Sequence, residues 1–238
     1  MPFHGREDLI KQVIQTRMRF QKYADFANAT YQNLLTEKER KNALELQVNE
    51  CASLYLENTG KGTFNTRVLP ALAQIAPING MVVEDFDLDG NLDVIFVAND
   101  FGNETSGGRY DASNGLLLKG DGKGNFLPIN QYKTGFYVPQ NAKGLAQLSG
   151  KDGSRLLVAT QNRGPLKTFR QSSSSFKWIN LQPNDAYALI QTKKGKTHRQ
   201  ELYYGSSFLS QSVRKLALTG QEISIEIVDF QGKKRKIN

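Results

Sequence analysis

Leu117-Leu-Lys-Gly-Asp-Gly-Lys-Gly-Asn-Phe126 has a counterpart earlier in the chain. The similar stretch, 62 residues before it, is Tyr55-Leu-Glu-Asn-Thr-Gly-Lys-Gly-Thr-Phe64. Two further apolar runs, Val94–Asp100 and Leu156–Asn162, are separated by the same 62 residues. Two matches at one offset indicate an internal repeat. Each unit holds an apolar strand, a Gly-Lys-Gly turn that ends in Phe, and a second apolar strand. Its length suits a four-stranded β-sheet with an insertion.

The sequence before the repeat predicts helices. Apolar residues recur at helical spacing twice, from Leu9 to Met18 and from Tyr23 to Leu35. Thr36-Glu-Lys-Glu39 then fits a capping box, in which Thr36 begins a third, short helix that runs to about Glu45. We therefore predict a helical segment over residues 1–47.

The sequence after the repeat predicts a small separate β-domain. A polar stretch, Gln171-Ser-Ser-Ser-Ser-Phe176, interrupts the repeat and is the best candidate for a boundary. We place two repeats in residues 48–170 and the β-domain in residues 171–238, so the predicted fold class is mainly β. Five short β-like runs support the last assignment: Trp178–Leu181, Tyr187–Thr192, Gln200–Tyr204, Val213–Leu218 and Ile223–Val228.

The composition indicates a folded protein that does not span a membrane. Of its 238 residues, 39% are hydrophobic and 23% are charged, as in globular domains. No run approaches the roughly 20 apolar residues that a membrane helix needs, and Met1–Arg6 shows no signal-peptide pattern. Cys51 is the only cysteine, so no internal disulfide can form, and its apolar neighbours predict a core residue.

The charge is unevenly distributed along the chain. The net charge is +8, and residues 171–238 hold 11 basic and 5 acidic residues. In contrast, the stretch from Glu84 to Glu104 holds seven carboxylates and neither Lys nor Arg. A cation site is therefore easier to place in that stretch than elsewhere.

The acidic stretch contains a loop with the spacing of a calcium site. Asp85-Phe-Asp-Leu-Asp-Gly-Asn-Leu-Asp93 puts carboxylates at positions 1, 3, 5 and 9. Calcium takes about 6–8 oxygen ligands, which a tight loop with alternating acids can supply, and Gly90 permits the sharp turn. Phe86 and Leu88 alternate with the acids and are expected to point into the core. The predicted ligands are Asp85, Asp87, Asp89, Asn91 through its backbone carbonyl, and Asp93.

Two features separate this loop from an EF-hand. Position 12 is Phe96, where an EF-hand has a bidentate Glu, and the flanking residues favour strands over helices. The alternative interpretation is an acidic turn whose Asp side chains cap the backbone. Magnesium fits less well, because it keeps several waters and needs few protein ligands. The counterpart in the second unit, Gln147–Arg155, has one acid beside Lys and Arg and predicts no metal; Asp121–Asn125 predicts a hairpin turn.

Asp85–Asp93, followed by Val94-Ile-Phe-Val and Asn99-Asp-Phe-Gly102, resembles an FG-GAP/VCBS repeat, as found in integrin α-chain propellers and many bacterial surface proteins. The two Gly-Lys-Gly-x-Phe turns are also typical of that repeat. The resemblance implies β-propeller-type blades with calcium held in an inter-strand loop. A closed propeller has roughly four to eight blades. Since about two fit here, the rest of a longer propeller chain is implied as a partner.

The last part resembles an ASPIC/UnbV domain, which often follows such repeats. The similar residues are 204–211, 216–220 and 225–232, although Asp229-Phe230 stands where that family usually has Trp-Pro. The arrangement resembles the C-terminal end of a long VCBS-repeat protein of Bacteroidetes-type bacteria. The resemblance implies export to an extracellular, periplasmic or outer-membrane-associated location.

Three functions are compatible with these patterns. The first is a non-enzymatic calcium-binding module that meets a protein or glycan, with calcium in a structural role and an aromatic surface from Tyr110, Tyr132, Phe136 and Tyr137. The second is a nucleic-acid binder that uses the basic run Lys233–Lys236. The third is a carbohydrate-active enzyme with an acid pair. We predict no enzyme, because the chain has no nucleophile elbow, P-loop or HExxH motif.

Overall fold

The computed structural model describes residues 4–103, 107–171 and 176–237, which form two compact units, residues 1–51 and 52–238. The protein is mainly β, as predicted, and contains several small antiparallel sheets. The described residues close neither a barrel nor a propeller, so the propeller-type blades stay a prediction.

The first unit is helical, but its helices are short. They are α1 (Arg6–Gln12), α2 (Thr16–Arg19), α3 (Tyr23–Ala27), α4 (Tyr31–Leu34) and α5 (Glu37–Arg40). The capping box at Thr36 is confirmed, because its hydroxyl accepts a hydrogen bond from the Glu39 backbone N–H. Among the described residues of this unit, Phe20, Phe26 and Ala29 are buried and form a small apolar core.

Three predictions for the first unit are wrong. The apolar stripes do not form long helices: Met18 is 81% exposed, and α5 ends at Arg40 before the predicted Glu45. Cys51, predicted to be a core residue, is exposed. With so little apolar surface buried, helical periodicity alone does not stabilise long helices, because helices draw most of their stability from packing.

The second unit is built from fifteen strands in the part of the chain that is described. In chain order they are β1 (Leu54–Asn58), β2 (Phe64–Val68), β3 (Ile78–Glu84), β4 (Asp93–Ala98), β5 (Leu116–Gly120), β6 (Phe126–Ile129), β7 (Ala142–Ser149), β8 (Arg155–Gln161), β9 (Lys167–Arg170), β10 (Lys177–Asn180), β11 (Asp185–Thr192), β12 (Thr197–Glu201), β13 (Lys215–Leu218), β14 (Glu222–Asp229) and β15 (Lys234–Ile237). A 3₁₀ turn (Ala71–Ala73) precedes β3, and α6 (Gln131–Thr134) follows β6.

The internal repeat corresponds to repeated hairpins. β1 pairs with β2, and β5 pairs with β6, each through a Gly-Lys-Gly turn. Gly60 and Gly62 in the first turn, like Gly122 and Gly124 in the second, adopt positive φ angles that other residues rarely tolerate. The strand order of the larger sheet is β3-β4-β5-β6, and the next sheet has the order β7-β8-β9.

The main core lies between these two sheets. Alternation along β4 sends Ile95 and Val97 to one face, where they pack with Leu145 and Leu157 of the β7-β8-β9 sheet. The opposite face carries Phe96 and other residues in a second cluster, which packs with the segment around the 3₁₀ turn. Both faces of the β3-β6 sheet are therefore apolar, which explains the uninterrupted apolar run that begins at Val94.

The C-terminal part forms a two-stranded sheet, β10-β13, and a four-stranded sheet with the order β12-β11-β14-β15. Their core includes Ala188, Ile190, Leu216 and Ile227. The basic run at residues 233–236, which motivates the nucleic-acid hypothesis, overlaps the edge strand β15. Residues 172–175, the centre of the predicted boundary, lie outside the described residues.

Direct hydrogen bonds join the C-terminal part to the repeat sheets. The backbone N–H of Met81 in β3 donates to Ser207 Oγ at 2.7 Å. The backbone N–H of Val213 donates to the carbonyl of Gln147 in β7 at 2.8 Å. The same compact unit therefore contains both segments that the sequence assigns to separate domains. Within the described ranges, no helix is both long and apolar enough to cross a membrane.

Candidate metal centre

The acidic loop connects two paired strands, as the sequence predicts. Glu84, the last residue of β3, lies opposite Asp93, the first residue of β4, so residues 85–92 must reverse the chain. Leu88 and Gly90 adopt positive φ angles of 60° and 90° within this loop. A side chain on Gly90 would be strained and would lie 3.2 Å from the Lys196 side chain. The turn therefore favours glycine, and a larger residue would also push the Lys196 side chain aside by a few tenths of an ångström.

Three of the predicted ligands converge. Asp85, Asp87 and Asp89 each place a carboxylate oxygen within 4.8 Å of the other two. The loop backbone is shaped by the same side chains: Gly90 N–H donates to Asp85 at 2.8 Å, and Asn91 N–H donates to Asp89 at 2.8 Å. A carboxylate has about four lone-pair sites, so these hydrogen bonds leave room for a cation. We call Asp85, Asp87 and Asp89 the carboxylate triad.

Asp93, the fourth predicted carboxylate ligand, does not converge with the carboxylate triad. Its side chain is buried, and its two oxygens accept backbone hydrogen bonds from Phe86 at 3.0 Å and Gly120 at 2.9 Å. Burial raises the pKa of Asp93 to about 6, although these two hydrogen bonds oppose the shift. Asp93 lies outside the carboxylate triad and fastens the loop to β5.

Asn91 contacts a second segment of the chain. Its side-chain Oδ1 accepts a hydrogen bond from Lys196 Nζ at 2.8 Å. Lys196 also donates to the backbone carbonyl of Asp89 at 3.3 Å, and Lys194 donates to the carbonyl of Leu88 at 2.6 Å. Both lysines lie in the turn between β11 and β12, so the loop is held by the C-terminal sheet as well as by its own strands.

Lys119 of β5 is the cation nearest to the triad carboxylates. Its ammonium group pairs with Asp87 and, at 3.1 Å, with Asp89. The hydrogen bonds that Lys119 donates to these two carboxylates raise its pKa, so it is charged at neutral pH. Burial and then the charges of Asp89 and Asp87 raise the pKa of Asp85. Within the described residues, Asp87 and Asp89 therefore have an ion-pair partner and Asp85 has none.

Sequence reasoning missed these lysines. Lys119, Lys194 and Lys196 lie far from the loop along the chain, and nothing in the local pattern of either segment signals the contact. Only the pairing of β4 with β5 could have placed Lys119 near the loop, because that pairing brings the end of β5 next to Asp93.

A buried polar network lies behind the loop. Glu84 accepts from Arg155 at 3.2 Å, from Gln147 at 3.1 Å and from Gln200 at 2.8 Å. Arg155 is only 2% exposed, and its guanidinium group lies 4.4 Å from the ring centroid of Phe176. These four polar residues belong to β3, β8, β7 and β12, so the network joins three sheets directly behind the acidic loop.

The remaining candidate residues do not form a second centre among the described residues. Phe136 is a core residue, whereas Tyr132 is 99% exposed. His198 lies in β12 beside Glu84 and Asp85, and burial lowers its pKa. In the counterpart loop, Asp152 pairs with Arg170 and accepts a hydrogen bond from Ser154.

The basic run of β15 is partly neutralised. Lys234 pairs with Glu226 at 2.9 Å, and Arg235 pairs with the buried carboxylate of Asp185 at 2.6 Å. Two of the four cations that motivate nucleic-acid binding therefore have acidic partners within the same sheet. The hypothesis stays untested.

Comparisons with known proteins add no relatives. No protein-family model matches the chain. A search of curated proteins gives no match. The resemblance to FG-GAP/VCBS repeats and to the ASPIC/UnbV domain therefore stays a prediction that rests on the residues themselves.

Proposed function

We propose that residues 52–238 form a non-catalytic binding module that calcium stabilises at the Asp85–Asp93 loop. The observation that supports the proposal is the convergence of the carboxylate triad within 4.8 Å in a turn fastened at both ends. Hard oxygen ligands in a tight loop match the preference of calcium. The proposed ligands are the triad carboxylates and the backbone carbonyl of Asn91, while Asp93 mainly braces the loop.

The proposed role of calcium is structural because of what the loop joins. It connects β3 to β4, its brace Asp93 reaches β5, and two lysines of the β11–β12 turn donate to its carbonyls. An ion bound at this junction stabilises only the folded arrangement. At a free concentration 100 times the dissociation constant, such binding adds about 2.7 kcal/mol to the free energy of unfolding.

The biological setting is proposed from the resemblance alone. FG-GAP/VCBS repeats imply an exported protein, and extracellular calcium modules commonly bind with dissociation constants of about 10⁻⁴–10⁻³ M. The partner would then be a protein or glycan outside the cytoplasm, together with the rest of a longer propeller chain.

Thermal unfolding tests the proposal. We expect millimolar calcium to raise the melting temperature of the wild type relative to EDTA, and we expect Asp87→Ala combined with Asp89→Ala to abolish the rise. Asp229→Ala is the matched control, because Asp229 also caps backbone amides in a turn but lies at the far end of β14. It should retain the full calcium effect.

The outcomes separate the two interpretations of the loop. A rise that the double variant loses and the control keeps supports a structural calcium site. An equal melting temperature in calcium and EDTA for the wild type would mean that the acids only cap the turn, and the proposal would be abandoned.

A further inference from the structure

A cleft of about 310 Å³ opens between the β3-β6 sheet and the β7-β9 sheet, next to the acidic loop. Its volume lies at the lower end of the range for small-molecule sites, roughly 300–1,000 Å³. The cleft is an open edge of the main core, because Ile95 and Leu157 at its base belong to that core. Phe86 and Asp87 of the loop form one wall.

The base of the cleft is apolar and aromatic. Phe136 and Phe169 form a tilted pair with ring centroids 4.6 Å apart, and Leu117 lies beside them on the opposite sheet. Phe169 and Leu117 are only partly buried, so each still offers apolar surface to a ligand. Burial of a flat ring on such a surface is favourable, because it removes apolar area of both partners from water.

The rim of the cleft is cationic. Lys119, Lys133 and Arg170 all contribute to the lining, whereas the acids that contribute are Asp87 and Asp93. Arg170 already pairs with Asp152, and Lys119 pairs with Asp87 and Asp89. Lys133 is exposed and has no ion pair within the described residues. An anion at the rim would meet at least one uncompensated ammonium group.

We propose that this cleft binds an aromatic carboxylate, with the ring on Phe169 and Leu117 and the carboxylate at Lys133 and Lys119. An aromatic base with a few charged groups at the rim is the composition typical of sites for small amphipathic anions. Neutral or cationic analogues of the same shape would leave the rim charge uncompensated and would bind more weakly.

The second part of the proposal rests on the proposed calcium function. Calcium at the triad would take the oxygens of Asp87 and Asp89 that now pair with Lys119. The lysine stem is flexible, and its ammonium would be repelled by the ion. Because Lys119 also lines the cleft, it would then be available to the carboxylate of the ligand. Coupling of this kind is reciprocal, so calcium and the anion would each tighten the binding of the other.

Calorimetric titration with 2-naphthoate tests the cleft, with 2-naphthalenemethanol as the neutral analogue. In EDTA we expect naphthoate to bind about threefold to fivefold more tightly than the alcohol, as one exposed charge contact predicts. Lys133→Gln should weaken naphthoate by about threefold to fivefold and leave the alcohol unchanged. Lys177→Gln, which alters an exposed lysine outside the cleft, should have no effect.

The same titration in calcium tests the coupling. We expect calcium to tighten naphthoate by about threefold or more in the wild type and to have no such effect on Lys119→Met. Failure of naphthoate to bind, or equal binding of acid and alcohol, would overturn the cleft proposal whatever calcium does. Calcium that stabilises the protein without changing naphthoate affinity would overturn only the coupling. Absence of thermal stabilisation by calcium would instead remove the proposed function, while the titrations in EDTA still judge the cleft.

Discussion

The acids of the loop have two different roles, which their spacing in the sequence does not distinguish. The alternating acids look equivalent in the sequence, yet Asp85, Asp87 and Asp89 converge while Asp93 is 1% exposed and bonded to two backbone amides. Local spacing could predict the turn and the converging carboxylates. Local spacing could not predict the hydrogen bonds that hold Asp93, because one donor, the N–H of Gly120, belongs to a strand that is distant in sequence.

Lys119 gives a prediction at the scale of one residue. Its ammonium competes with any cation for Asp87 and Asp89. Lys119→Met keeps the length of the stem and removes the charge, so we expect calcium affinity to rise by about threefold to fivefold. Calorimetric titration with calcium measures this directly. Lys123→Met, in the adjacent turn, is the control, and an equal gain in both variants would show a general charge effect in place of competition.

Strands and turns whose own residues restrict the backbone were the most predictable parts of the fold. Glycines with positive φ fix the two Gly-Lys-Gly hairpins, and the acidic loop lies between strands as its flanks indicate. The N-terminal helices were less predictable, because their stripes have too little surface to pack against in the described unit. The strand β15 was missed, because its alternation is obscured by consecutive basic residues.

Gly80 gives a prediction at the scale of packed strands. It lies in β3, and an added Cβ would stand 2.6 Å from the backbone nitrogen of Leu145 in β7. Backbone atoms cannot move aside as a flexible side chain can, so the two sheets would have to separate. We expect Gly80→Ala to lower the free energy of unfolding by about 1–3 kcal/mol.

Chemical denaturation of Gly80→Ala, compared with Gly102→Ala, measures that effect. Gly102 has an ordinary φ, and its nearest neighbour to an added Cβ is a side-chain oxygen at 3.4 Å. The control should change stability little. If Gly80→Ala is as stable as the control, the close approach of β3 and β7 is not part of the native packing.

At the scale of the whole second unit, the Glu84 network is the buried contact that joins the repeat sheets to the C-terminal sheet, alongside the hydrogen bonds at the surface. Arg155 and Glu84 are buried together, and Gln147 and Gln200 complete the hydrogen bonds to the carboxylate. Removing one partner of such a pair leaves a buried charge without compensation. We expect Arg155→Met to lower the free energy of unfolding by about 3–5 kcal/mol.

The double variant Arg155→Met with Glu84→Gln distinguishes charge from packing. An amide at position 84 can still accept hydrogen bonds and carries no charge, so we expect it to recover part of the loss. Denaturant titration of the single and double variants gives the comparison. Equal stability of the two would indicate that Arg155 acts through its packing on Phe176, and that the ion pair contributes little.

The pH dependence of calcium binding links the carboxyl groups of the loop to the stability of the whole second unit. The folded pKa of Asp93 is about 6, above its ordinary value of 3.8, and the pKa of Asp85 is also raised. A carboxyl group with a raised pKa holds its proton more tightly when folded than when unfolded. Its contribution to stability is therefore fully present below about pH 4 and is lost as the pH rises through about 6.

Calcium should reverse that loss, because it binds the ionised carboxylates and compensates the charge that destabilises the loop. We expect the calcium-induced rise in melting temperature to be smaller at pH 5, where Asp93 is mostly protonated and adds less negative charge beside the triad, and larger at pH 7.5. Differential scanning calorimetry in calcium and in EDTA at both pH values measures it. A rise of equal size at the two pH values would mean that calcium binding is not coupled to the protonation of Asp93, and this prediction would be wrong.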